Sequence, residues 1–167
     1  DALEKGGVNS ASIMANCKYI DEVKKYSIKN PNIDLGVHLT VTNEWKNYRW
    51  KSLMPAKESQ TLVNSVGEFP IGIKKFVLKA DPTELKKELQ AQINKIKSLG
   101  IKPTHIDSHE GALFFNKEHF RVYLEVGEEN KLPVFVPRGV DAHFGKGFPK
   151  PKNVVVIKDL YMARKGL

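Results

Sequence analysis

The 167-residue chain has one cysteine, Cys17. It can form no intrachain disulfide and offers no thiolate cluster for structural zinc. Arginine is also scarce: Arg49, Arg121, Arg138 and Arg164 are all there are, so the formal net charge of +8 is nearly all lysine. Nucleic-acid surfaces draw on arginine forks and clustered aromatics. The lysines here stand singly or in pairs, as at Lys24-Lys25, Lys74-Lys75 and Lys86-Lys87, which describes a solvated surface. Nucleic acid is therefore not an expected partner. No apolar run is long enough to cross a bilayer and no signal-peptide pattern is present, so no membrane role is expected. The expected location is cytoplasmic. Repeats and low-complexity tracts are absent as well.

What is present alternates between two periodicities. Val8–Ala15 is small and partly β-branched and reads as a buried strand. Tyr19, Ile20, Val23 and Ile28 fit a short amphipathic helix stopped by Asn30-Pro31. From Ile33 to Thr40 the pattern alternates strictly, with Asp34, Gly36, His38 and Thr40 on the polar face. Val41–Ala80 loses periodicity and reads as a long loop carrying Trp45, Tyr48, Arg49 and Trp50. Asp81-Pro82-Thr83-Glu84 is a helix start, with Asp81 as cap and Glu84 placed to complete a capping box. Leu85, Leu89, Ile93, Ile96 and Leu99 follow at helical spacing as far as Gly100. Pro103–His109 reads as a strand, Glu110-Gly111-Ala112 as a turn, Asn116 as the cap of another helix, and Leu132–Pro137 and Val154–Ile157 as strands. Strands alternating with helices predict a parallel α/β sheet. A closed eight-stranded barrel takes about 250 residues, so an incomplete (β/α) barrel-like sheet is expected, in one domain over 1–167.

The chemistry concentrates at two strand ends. In Pro103-Thr104-His105-Ile106-Asp107-Ser108-His109, alternation puts His105, Asp107 and His109 on one face. His38 stands near the C-terminal end of its own strand, where parallel α/β folds gather their chemistry. Two imidazoles and a carboxylate suit a divalent cation; the plainer possibility is that His105 and Asp107 bond to each other or to backbone. Trp45 and Trp50 are placed to stack on a sugar ring or to pin the loop. Arg138, at a strand end, is placed to orient a carboxylate or contact substrate, or to cap its loop.

Three segments in order, Gly6-Gly7-Val8-Asn9-Ser10-Ala11-Ser12, Leu35-Gly36-Val37-His38-Leu39-Thr40 and Pro103–His109, resemble the YdjC-like family, the ChbG/HpnK deacetylases. The resemblance implies a variant (β/α) barrel related to polysaccharide deacetylases, and metal-dependent removal of acetyl groups from N-acetylated sugars such as chitooligosaccharides. It implies His38 and His109 as metal ligands, with magnesium or zinc as the divalent ion and Asp107 as a group orienting an imidazole. The family's third ligand and base, from an Asp-Asp motif, would lie upstream of Asp1. The chain opens on what reads as a helix end, Asp1–Gly7, and stops at Leu167 without a terminator, so it is expected to be a piece of something longer and inactive by itself. Glu110-Gly111-Ala112-Leu113 departs from members with more histidines there. A homodimer is compatible with this reading. The competing expectation is a sugar-binding or pseudoenzyme domain with the same cleft and no chemistry.

Overall fold

The computed structural model describes residues 2–140, 144 and 152–158. Among these residues five strands, β1 (Ser10–Ile13), β2 (Asp34–Leu39), β3 (Ile106–Ser108), β4 (Val134–Pro137) and β5 (Val154–Ile157), form one open sheet. Every pairing is parallel and the order is sequential, β1-β2-β3-β4-β5. This is the expected barrel-like parallel sheet, left unclosed.

Among the described residues four α-helices connect and cover it: α1 (Ile20–Lys29), α2 (Ile73–Lys79), α3 (Pro82–Ser98) and α4 (Lys117–Glu129). The α3 stripe Leu85, Leu89, Ile93 and Ile96 is fully buried. It packs on β2 and on α4, which explains why Leu35, Val37 and Leu39 alternate as they do: they fill the other half of that layer. The Tyr123 hydroxyl on α4 reaches the sheet and donates to the carbonyls of Ile106 (3.1 Å) and Phe135 (2.9 Å). Asp81 caps α3 through the Thr83 and Glu84 amides, and Asn116 caps α4 through Glu118 and His119.

The structure corrects four expectations. Tyr19 and Ile28 do not belong to the buried face of α1; both are exposed. Glu84 does not close a capping box, because its carboxylate is taken by the Thr61 amide (2.8 Å) and hydroxyl (2.7 Å). Residues 41–80 are not aperiodic throughout: they contain α2 and a 3₁₀ turn at Ala56–Glu58, and Leu62, Val63, Phe69 and Phe76 join the core. Finally, β3 is shorter than Pro103–His109. Thr104 and His105 already bond to β2, through Thr104 N–H to Leu35 O and Val37 N–H to His105 O (both 2.9 Å). His109, at the other end, begins a 3₁₀ segment, His109–Phe114, that turns through positive φ at Glu110 and Gly111. Most of the expected Val140–Asn153 loop lies outside the described residues.

The two faces of the sheet differ. The helix-covered face is aliphatic. The opposite face carries Ser12, Gly36, His38, His105, Asp107 and Phe135 along neighbouring strands. His105 fills the middle of it: its ring stacks on Phe135 (centroids 4.3 Å, 6° between planes) and lies directly over Gly36.

Candidate active site

His38 is the penultimate residue of β2, and its register partner on β3 is Asp107. Register neighbours in a parallel ladder present side chains to the same face, so this pairing follows from backbone geometry. His38 Nδ1 lies 2.7 Å from Asp107 Oδ1. The other carboxylate oxygen accepts from the Ser12 hydroxyl of β1 at 2.9 Å. An ionised carboxylate only accepts, so His38 carries its proton on Nδ1 and presents a bare Nε2. That nitrogen faces His109 Nδ1 at 3.1 Å.

The tautomers then propagate. Between the facing nitrogens one proton is needed, and with both rings neutral it is assigned to His109 Nδ1, which then donates to His38 Nε2. His109 Nε2 is left with a lone pair. The residue is 6% exposed and this nitrogen has no hydrogen-bond partner. Two carboxylates stand near it, Glu44 Oε1 at 3.5 Å and Glu110 Oε2 at 3.8 Å. An acceptor buried against two acceptors is unfavourable. A second proton on this ring is disfavoured, because burial, followed by the neighbouring His38, holds the His109 imidazole below its ordinary value of 6.5, with Glu110, Glu44 and Asp107 opposing. A divalent cation would resolve it. On the facing nitrogens it would replace the single shared proton and leave each ring an outward N–H. Their 3.1 Å separation suits adjacent ligands about 2.1 Å from one ion. The residues present therefore fit a cation. Glu44, His109 and Glu110 also offer three ligand atoms within 4.8 Å of one another.

The long connection after β2 holds this centre. Asn43 ties it together: its amide donates to the carbonyls of Trp50 (3.1 Å) and Phe69 (2.8 Å), and its oxygen accepts from Trp50 N–H (2.6 Å). Glu44 is thereby set beside the centre. Thr42 donates to Glu110 at 2.8 Å. Trp50 is buried and meets His109 edge to face, with centroids 5.2 Å apart. On the other flank a cavity of about 810 Å³ opens beside Asp107 and Glu110, walled by Phe114, Phe115, Phe135 and Phe144.

A family model described as YdjC-like protein matches residues 1–164. The chain belongs to the YdjC-like family. Among curated proteins it is 36% identical over 118 residues to a carbohydrate deacetylase of Thermus thermophilus, covering 71% of this chain and 42% of that one. It is 30% identical over 146 residues to a carbohydrate deacetylase of Geobacillus stearothermophilus, covering 86% and 54%. A crystal structure from Enterococcus faecalis, described as a candidate cellobiose-phosphate cleavage protein, superposes with a TM-score of 0.72 at 29% identity, over 81% of this chain and 50% of that one. The chain spans about half the length of these relatives.

In this YdjC-like chain the structure brings together His38, Asp107 and His109, with Trp50 against them. Trp45 is exposed, next in sequence to Glu44. Arg138 is exposed after β4, and among the described residues only its backbone is engaged, donating to Ile157 O at 3.0 Å. His119 lies apart, buried against Phe76 and bonded to the Ala80 carbonyl; His143 lies outside the described residues. His105 does not pair with Asp107, since its Nδ1 is 2.9 Å from the Thr104 hydroxyl, which in turn bonds to Asp34. Sequence reasoning missed Ser12, Thr42, Glu44 and Glu110 as members of the centre. Ser12 lies inside a quoted motif, and Glu110 directly follows His109. Glu44 had no local signal, because a loop fold places it. Among the described residues no helix is long and apolar enough to cross a membrane.

Proposed function

We propose that this chain forms part of a metal-dependent carbohydrate deacetylase, hydrolysing the acetamide of N-acetylated sugars or oligosaccharides, with a divalent cation, magnesium or zinc, held by His38 and His109. The observation that carries the reading is the facing pair of imidazole nitrogens at 3.1 Å, one ring locked by Asp107 and the other left with a buried, unpartnered nitrogen. The names of the relatives supply the substrate class. Such a cation, when bound, polarises a carbonyl and activates water.

The chain's own residues do the rest. Asp107, steadied by Ser12, keeps the His38 proton on Nδ1 so that Nε2 is always the free nitrogen. Trp50 packs against His109 and helps keep water from it. Its indole Nε1 is buried, and the proposed role of Trp50 is to pin the loop against His109. Trp45, exposed on the same loop, is the proposed stacking surface for a sugar ring. Arg138 is proposed to reach substrate from the end of β4.

The test has two parts. Calorimetric titration with zinc and magnesium measures binding to the chain, with His38→Ala and His109→Ala as controls. Acetate release from an N-acetylated chitooligosaccharide is then followed with and without chelator in the deacetylase of which this chain forms part, the chain by itself being expected to release none. The expected result is saturable binding that either substitution removes, and acetate release that chelator stops and metal restores. Absence of metal binding refutes the centre. Binding of both metal and sugar without turnover on any acetylated sugar replaces the enzyme by a sugar-binding domain.

A further inference from the structure

On the Nε2 side of His109 stand two carboxylates that the YdjC-like resemblance does not assign, and one of them is built in. Glu110 takes a left-handed backbone conformation, φ 52°, which is uncommon for a residue with a side chain. Gly111 follows at φ 67°. This double left-handed turn returns the Glu110 carboxylate to the loop after β2, where the Thr42 hydroxyl donates to Oε2 at 2.8 Å. The same oxygen lies 3.8 Å from His109 Nε2. Glu44 approaches that nitrogen from the other connection at 3.5 Å. His109 Nε2 is the buried, unpartnered atom both of them face.

The arrangement repeats, with a different chain path, what surrounds His38. There a hydroxyl (Ser12) holds a carboxylate (Asp107), which accepts from the outer nitrogen of an imidazole. Here a hydroxyl (Thr42) holds a carboxylate (Glu110), which faces the outer nitrogen of the other imidazole. The inner nitrogens meet at 3.1 Å. We propose that Glu110, anchored by Thr42 and assisted by Glu44, is the carboxylate partner of His109, fixing it with its proton on Nε2 so that Nδ1 is the nitrogen turned to the cation. The inference rests on the cation reading above. Glu110 is thus a positioning residue and acts through His109.

Two consequences follow from the chemistry. A ligating imidazole whose other N–H is given to a carboxylate is a stronger and better aimed donor. The two neutral rings bring no negative charge to a dication, whereas Asp107, Glu110 and Glu44 lie around them and supply it. Glu110 and Glu44 are partly exposed, at 27% and 39% of the side chain. They therefore have room to close the roughly 0.6–0.9 Å that separates 3.5 and 3.8 Å from an ordinary hydrogen bond of about 2.9 Å.

Tautomer and affinity together test this. In the full chain labelled with ¹⁵N-histidine and saturated with zinc, long-range ¹H–¹⁵N correlation spectra report which nitrogen of each ring is metal-bound and which carries the proton. The expected spectrum has His109 protonated on Nε2 and His38 on Nδ1. Zinc affinity should fall about 10- to 100-fold in Glu110→Ala. Glu110→Gln, which keeps an acceptor without charge, should fall between Ala and the parent, and Thr42→Val should move the same way by less. Melting of the metal-free forms, followed by circular dichroism, verifies that each variant is folded, and the tautomer of the unsubstituted chain needs no variant. Zinc bound to Nε2 of His109 overturns the proposal in favour of a cage made by Glu44, His109 and Glu110. Unchanged affinity in Glu110→Ala also overturns it and leaves the cation reading standing. If zinc perturbs neither ring, both fail together.

Discussion

Gly36 stands two residues before His38 on β2, and replacing it with alanine tests how the interior face of the sheet is packed. Its φ lies outside the left-handed region, so the backbone would accept a side chain. In a strand, alanine in place of glycine gains roughly 0.5–1 kcal/mol from the unfolded state. The space is what forbids it. A Cβ built there would lie 2.3 Å from His105 Nε2, 2.4 Å from Cδ2 and 2.6 Å from Cε1. The ring cannot retreat, because Phe135 stacks on its other face with centroids 4.3 Å apart and the Thr104 hydroxyl holds Nδ1 at 2.9 Å. Relief requires an off-rotamer imidazole or a displaced β2, and overpacking of this kind costs about 1–3 kcal/mol. The overpacking outweighs the glycine gain, so Gly36→Ala should lower stability by about 1–2 kcal/mol. For a chain of this size that is roughly 2–8 °C in Tm. Urea denaturation of Gly36→Ala, His105→Ala and the double variant measures the coupling. With the ring gone, the added methyl should be neutral or stabilising, giving a coupling of about 1–3 kcal/mol. Equal destabilisation by Gly36→Ala in both backgrounds would refute the steric argument. Zinc affinity should fall in Gly36→Ala and recover in the double variant, because a displaced β2 carries His38 with it.

Gln92, buried on α3, takes the Thr40 amide (2.9 Å), gives to the Thr40 carbonyl (2.7 Å) and bonds Glu88 (2.9 Å); Gln92→Leu should destabilise by about 2–4 kcal/mol through unsatisfied buried groups, read from the urea midpoint at unchanged slope. Burial holds His119 below its ordinary value of 6.5, against the opposing Ala80 carbonyl, Asp81 and Glu118. The unfolded chain therefore binds the proton first as pH falls, so stability drops below about pH 6.5 until the folded pKa is passed, by up to about 1.4 kcal/mol per pH unit. His119→Gln should flatten that part of the stability–pH curve, and an unchanged slope counts against the assignment. Asp81→Ala should cost about 1 kcal/mol as a lost cap, visible as a lower Tm with cation affinity unaltered; an affinity change would mean that α3 positions the centre more directly than its contacts show.

Local pattern was enough for the class of fold. The two-residue period of Ile33–Thr40, the 3.6-residue stripe of α3 and the caps Asp81 and Asn116 depend on neighbours within a turn or a strand, so one sequence displays them. The pairing of His38 with Asp107 was half legible: each sits near the end of its own strand, but the register that sets them side by side belongs to the sheet. Other features were decided only by tertiary structure. Tyr19 and Ile28 have helical spacing and still face solvent, since an amphipathic stripe is buried only where a partner exists to cover it. Glu84 had the position for a capping box, and a threonine 23 residues earlier in the chain took its carboxylate. Residues 41–80 hide their order because they are held by Asn43 and by contacts to the core, with no repeating period to read. The same holds for Glu44, Thr42 and Ser12, which reach the centre through loop closure and strand adjacency. Identity and spacing within a segment determined which side chains were able to do chemistry. Which of them meet was set by the free energy of closing the long connection onto the sheet, a sum over contacts far apart in the chain.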